Sequence, residues 1–338
     1  SIVIRQRQMA IRQKDFPEIT INLNFAGKIV DYLLKLIQMK KVLLFLLMMI
    51  VYSNIDAQIM FKTEYFGTSS YRMTEGDTDE KVGNSKGSAI VYQGGFNIPL
   101  SMKLNGKGRI TMWSISAGGA YASLNNKNFT EELVIDEILN LGISLNHMRP
   151  LNEKWSMLAT VGGGLYMPGT RFSQIGYKHV LGSIGAIFIY HMKENLEIGG
   201  GIALNNSFGY PMAFPALYFN WSTEGRLGIK ISMMEGPEIS AGYQLNKALS
   251  LNFVAEMNGQ MALLEQEGKN KMFSHQYIIT GFRPEIKISK YLSIPVTAGI
   301  HAMRPAEMTN RSLKSMFSDR GYYFQISPYV SAGLKVGF

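Results

Sequence analysis

The end of the chain constrains its fold more than any other stretch. From Tyr322 to Phe338 the even positions are Tyr322, Phe324, Ile326, Pro328, Val330, Ala332, Leu334, Val336 and Phe338; the odd ones include Gln325, Ser327, Ser331, Gly333, Lys335 and Gly337. Successive side chains of a strand point to opposite faces, so one face of this segment is wholly apolar. A polar opposite face means that it does not belong in a dry core. The same phase recurs upstream, in Glu238 to Asn246, Leu249 to Asn258 and Leu139 to Met148. Such alternation, repeated over segments of about ten residues, is the signature of a barrel with lipid outside and polar groups inside.

Composition agrees. Hydrophobic residues make up 46% of 338, yet mean hydropathy is only +0.01, so apolar residues are interleaved rather than massed. The one strong apolar run, Val42 to Tyr52, is far short of the roughly 20 residues that a membrane-spanning helix needs. The absence of cysteine removes disulfides, thiolate metal sites, a Cys nucleophile and a lipidated N-terminal Cys. Residues 1–57 hold 8 basic and 4 acidic residues and the remainder 26 and 21. The mature part is therefore only mildly basic, with no Lys/Arg cluster of the kind that nucleic-acid binding requires.

Met39-Lys40-Lys41, the apolar Val42 to Tyr52 and the polar exit Ser53 to Ala57 form the three parts of a secretory signal. Cleavage after Ala57 would leave Gln58 first. This divides the chain into an upstream extension at 1–38, unstructured or helical and without function, a signal peptide at 39–57, and a barrel at 58–338. Candidate strands fall near 59–67, 88–98, 109–122, 135–148, 154–167, 180–191, 195–205, 213–221, 226–233, 237–245, 248–258, 274–288, 291–303 and 321–338. Long links (Thr68 to Gly87, Ser123 to Val134, Gly259 to Phe273, Arg304 to Arg320) alternate with tight ones such as Asn246-Lys247 and Ser289-Lys290. The expectation is an all-β, antiparallel up-and-down transmembrane barrel of about fourteen strands, preceded by a signal peptide. Both termini lie on the periplasmic side, and the strand near Ile59 pairs with the one ending at Phe338. Trp155 to Met167 and Ser183 to His191 are apolar on both faces and fit this pattern least well.

Gly162 to Gly164 and Gly199 to Gly201 have neither the Gly-Lys-Ser/Thr ending nor the spacing of a nucleotide fingerprint; in a closed sheet they permit curvature. The five histidines, His147, His179, His191, His275 and His301, include no pair at metal spacing, so no cofactor or metal is expected. Ser274-His275 is the one adjacent nucleophile–base pair. Neighbours in a strand face opposite ways, so it cannot act as one.

The inward phase carries Lys62, Glu64, Glu197, Lys230, Glu238, Glu256, Arg283, Glu285, Lys287 and Lys335. These are the candidate lumen-lining residues, with Arg283, Glu285 and Lys287 on one strand as the best local case. They fit a selectivity surface or a salt-bridged bracing of the wall. The terminal strand, with Val330, Leu334, Val336 and Phe338, resembles the C-terminal insertion signal of bacterial outer-membrane proteins, which implies outer-membrane lipid and the barrel-assembly machinery as partners. Residues 58–338, with the Ala57-Gln58 junction and a Lys-, Asn- and Met-rich style, resemble the uncharacterised outer-membrane β-barrel families of the Bacteroidota. That resemblance implies export through the general secretory route to a bacterial outer membrane and assigns no catalytic or binding residue. Two functions compete: a channel or transporter for small solutes of unknown identity, and a filled structural or interaction barrel. A hydrolase at the rim ranks third.

Overall fold

The computed structural model describes residues 58–105, 109–130, 132–223, 225–233, 236–318 and 320–337. The extension and the signal peptide lie outside the described residues, as does Phe338. The strands are β1 (Gln58–Glu75), β2 (Thr78–Leu104), β3 (Ile110–Lys127), β4 (Glu137–Pro150), β5 (Trp155–Met167), β6 (Val180–Lys193), β7 (Leu196–Asn205) and β8 (Met212–Ser222). They continue as β9 (Leu227–Ser232), β10 (Glu238–Asn246), β11 (Leu249–Gln266), β12 (Lys269–Lys287), β13 (Leu292–Met303), β14 (Ala306–Asn310), β15 (Arg320–Phe324) and β16 (Ser327–Gly337). Three single 3-10 turns are the only helical elements among the described residues.

Every pairing between these strands is antiparallel, and sequence neighbours pair from β1 through to β13. The ring closes where β16 lies between β13 and β1, with Ile59 opposite Val336 and Gln58 opposite Gly337. Of the sixteen strands in the sheet, β14 continues the line of β13 along β12, and β15 continues β16 along β1. The wall therefore has fourteen staves, two of them interrupted near one end. We call the end holding Gln58 and Gly337 the lower end.

In the lower ring the alternation seen in the sequence is the alternation of the wall; above it Phe324, on the same even phase as Val330, turns into the buried core, because the expected single terminal strand is broken between β15 and β16. Tyr65, Ile143, Ile202, Leu217, Phe253, Phe282 and Val330 are exposed on the outside, a continuous apolar surface of the kind that bilayer contact requires. Trp113, Trp155 and Tyr243 are also exposed; they stand near the lower ends of β3, β5 and β10, the level at which aromatic girdles occur. Glycines let neighbouring staves close up. A Cβ added at Gly162 would sit 2.7 Å from the carbonyl oxygen of Ile143, and one at Gly201 would collide with that of Ala186. The two triple-glycine runs thus serve backbone approach between staves.

Two of the expected long loops are strand. The β1–β2 hairpin runs on to a turn at 76–77, and the β11–β12 hairpin to one at 267–268. The expected loop from Arg304 to Arg320 contains β14 and a 3-10 turn. These extensions lose the lipid-type alternation because their surroundings change, and the period seen in sequence ends where the surroundings do. At the tip of β1–β2, Arg72 donates to Asp79 at 2.8 Å and Tyr323 donates to the same carboxylate at 3.0 Å, tying β15 to the hairpin. The Arg72 hydrogen bond holds the Asp79 carboxyl below the usual range.

The upper half has a second closure. β10 stops at Glu238, opposite Glu256, and β11 continues for ten more residues, to Gln266, without that neighbour. There β11 leaves the ring and crosses to β4. The Asn140 side chain donates to the Met261 carbonyl at 2.6 Å and accepts from the Met261 N–H at 3.1 Å. Leu263, on the phase that faces outward lower down, is only 1% exposed. The upper parts of β1–β4, β11, β12, β14 and β15 thus enclose a core of Phe66, Tyr71, Val91, Leu124, Ile138, Phe273, Tyr277 and Phe324. Eight strands is the number at which side chains alone fill a barrel. The upper part is solid on this side, while the lower ring of fourteen is wide.

Candidate functional site

Below the solid core lies a cavity of about 530 Å³, lined by Lys62, Gln93, Asn220, Lys230, Glu238, Glu256, Asn258, Arg283 and Thr297, among others. Its charged wall is one network. The Glu64 carboxylate, fully buried, accepts from Tyr277 at 2.6 Å, Tyr329 at 2.5 Å, Gln93 at 2.9 Å and Lys62 at 2.9 Å. Glu256 is bonded to both Lys62 and Arg283. Arg283 further donates to Thr297 at 2.9 Å and to Glu238 at 3.3 Å, and Lys230 stands 3.7 Å from Glu238. A buried carboxylate is costly unless its lone pairs are filled; Glu64 has four donors.

Six of the ten sequence-derived lumen residues meet here: Lys62, Glu64, Lys230, Glu238, Glu256 and Arg283. Lys335 lines the same cavity without joining the network, and the other three lie apart. Glu285 accepts from Ser293 at 2.6 Å, Lys287 donates to Gln244 at 3.2 Å, and Lys335 is exposed at the lower end. The trio expected to act together on β12 is therefore divided, with Arg283 in the network and Glu285 and Lys287 at the mouth.

Glu197 belongs to a second cluster that the sequence did not announce. Ser156 on β5 lies 2.7 Å from Nε2 of His191 on β6, and Nδ1 of His191 lies 2.7 Å from Glu197 on β7. Tyr218 donates to the other Glu197 oxygen at 2.7 Å. The order serine–histidine–glutamate matches a nucleophile, base and orienting acid. Access runs the wrong way: Ser156 is 4% exposed, whereas the Glu197 side chain is 24% exposed. A nucleophile must meet its substrate, and here the acid is the most open member. Ser274 and His275 sit on opposite faces of β12, with His275 buried in contact with Gln260 and Arg304.

The wall opposite the charged network is apolar. Met102, Met112, Met148, Leu158 and Ile187 stand in register across β2 to β6, on the same inward phase as Ser114, Asn146 and Ser156. The apolar character of both faces of β5 and β6 arises here, from lumen-facing residues that are themselves hydrophobic. The described residues include no group of His, Cys, Asp and Glu able to hold a metal ion.

A family model described as a domain of unknown function (DUF6268) matches residues 53–337. The chain belongs to that family. No curated protein matches it. Among solved structures it is similar to the COG4313 outer membrane channel from Pseudomonas putida F1, at 10% identity over 85% of this chain and 97% of that one, with a TM-score of 0.39. It is also similar to the translocator domain of the autotransporter NalP from Neisseria meningitidis, at 10% identity, 85% and 90% coverage and a TM-score of 0.34. The outer membrane protease OmpT from Escherichia coli matches at 10% identity, 83% and 97% coverage and a TM-score of 0.25. At such identities the likeness is one of fold alone.

Proposed function

We propose that the chain is an outer-membrane barrel that moves small solutes, and that it reaches that membrane through the secretory route and the barrel-assembly machinery, in a bacterium of the Bacteroidota type. One observation supports this reading above the others: the lower ring keeps a cavity of about 530 Å³ against its charged wall. A barrel with a purely structural role has no need of that space. The solid upper core supports the filled-barrel alternative for one side of the molecule, and it predicts low ion conductance along the axis.

The test is flux. Purified protein in vesicles is given a panel of small solutes, from sugars to aromatic hydrocarbons, and uptake is compared with protein-free vesicles. Faster uptake of at least one class supports transport. Correctly folded protein that moves none of them refutes it and leaves the filled barrel. The same protein exposed to a fluorophosphonate probe decides the rim-hydrolase reading.

A further inference from the structure

The two ends of the barrel hold their charge differently. At the upper end several cations are paired: Arg72 with Asp79 at 2.8 Å, Lys178 with Glu265 at 3.1 Å and Arg320 with Glu75 at 2.7 Å. At the lower end the connections at 103–109, 149–154, 193–195, 246–248 and 288–290 carry Lys103, Arg149, Lys154, Lys193, Lys247 and Lys290, all exposed. None of these six has an ion-pair partner among the described residues. The same five stretches hold only two acidic residues, Glu153 and Glu194. Glu197 and Glu285, a little further in, are held by His191 at 2.7 Å and Ser293 at 2.6 Å.

These cations stand at the level of the lower aromatic girdle. All three tryptophans of the chain, Trp113, Trp155 and Trp221, lie on the outward phase there. Lys154 directly precedes Trp155, and the Lys290 ammonium lies 4.4 Å from the centre of the Tyr291 ring. Lys103 and Arg149 share the outward phase of Trp113 and of His147, whose rings stack at 4.1 Å. Aromatic rings of this kind settle at the headgroup level, so the charges beside them meet the phosphates of a surrounding leaflet. They are spread one or two to a connection round the ring and are not gathered into a patch. Solubility needs only charges of mixed sign, whereas a ring of one sign repels itself. An anionic surface that encircles the barrel relieves that repulsion at every position; a single bound ligand would not.

We infer that this ring binds the headgroups of anionic phospholipid in the leaflet around the lower end, in preference to zwitterionic lipid. The inference goes beyond the transport reading and rests only on insertion of the barrel in a membrane. One Lys or Arg at an anionic membrane surface corresponds to about a fivefold preference. The preference should fade as salt shortens the screening length from about 8 Å at 0.15 M to about 3 Å at 1 M.

The tryptophans read the ring directly. Purified protein is placed in phosphatidylcholine vesicles that contain, at equal mole fraction, either phosphatidylglycerol or phosphatidylcholine brominated high on the acyl chain. Brominated phosphatidylglycerol should quench tryptophan fluorescence more strongly, as a several-fold enrichment next to the barrel. The excess should fall toward equality at 1 M salt and in the combined variant Lys103→Gln, Arg149→Gln, Lys154→Gln, Lys290→Gln. Should that variant fail to insert, Lys154→Gln alone, beside Trp155, takes its place and should lower the excess. Equal quenching by the two lipids, or an excess that survives both salt and substitution, would overturn the proposal. Equal quenching together with charge-dependent binding of soluble polyglutamate would give the ring to an acidic protein and overturn the lipid assignment. Quenching by neither lipid would refute membrane insertion and the proposal with it, whereas equal quenching refutes the proposal alone.

Discussion

Replacing Asn140 by leucine should release the upper half of the β11–β12 hairpin from the β4 wall. The Asn140 side chain is the hydrogen-bonded link from β4 to the free edge of β11, through both the N–H and the carbonyl of Met261. Each such bond contributes on the order of 1 kcal/mol net, and leaving a buried backbone group without a partner costs about 1 to 3 kcal/mol. Two part-buried groups lose their partner together, each in the lower half of that range, so the bridge should lose about 2 to 4 kcal/mol. A tenfold change in an equilibrium constant corresponds to about 1.4 kcal/mol, so local opening of the hairpin should rise by roughly one to three orders of magnitude. Hydrogen exchange followed by mass spectrometry reads this directly. Peptides spanning Gln260 to Leu264 should exchange faster in the variant, while those of β5 to β7 stay unchanged. Asn140→Asp keeps the acceptor for the Met261 N–H and loses the donor to its carbonyl, and should fall between. Unchanged exchange in a folded Asn140→Leu barrel would refute the idea that this bridge holds β11 across the lumen.

Other substitutions test other parts. Glu64→Leu removes the acceptor shared by Lys62, Gln93, Tyr277 and Tyr329. Breaking a buried pair in this way costs about 3 to 5 kcal/mol, seen as a clear fall in the thermal midpoint, with Lys62→Met in the same background recovering part of it. Leu334→Lys puts a charge on the outer face at roughly 2 to 4 kcal/mol if at mid-bilayer; inserted protein should drop sharply, and less for Ser331→Lys, whose side chain faces inward beside Glu64. Gly201→Val would drive a side chain into the Ala186 carbonyl, so heat-modifiable folded barrel should be lost on gels. Ser156 should stay unlabelled by fluorophosphonate at neutral pH, and stoichiometric labelling that disappears in Ser156→Ala would establish a hydrolase.

Much of the wall was legible because lipid on one side and water on the other impose a period of two. The fourteen staves and the closure of Ile59 against Val336 follow from that pattern. The inward phase also named six members of the charged network. What escaped shares one cause, which is that the pattern records polarity and not the partner. Met261 and Leu263 continue the outward apolar phase of β11, yet Leu263 is buried by protein after β11 leaves the ring. Ser156 lies 35 residues before His191, and His191 meets it and Glu197 only through the β5–β6 and β6–β7 registers.

The pairing of β1 with β16 closes the ring, and the barrel stands or falls with it. Thr63 and Ala332 are partners across that last seam, and the absence of cysteine makes a designed pair unambiguous. In Thr63→Cys/Ala332→Cys, membrane-inserted protein treated with a short thiol crosslinker should give an intramolecular product of altered gel mobility after heating, while Thr63→Cys/Leu217→Cys should give none. Failure to crosslink at 63 and 332 in folded protein, with both thiols shown to be reactive, would contradict the closed barrel.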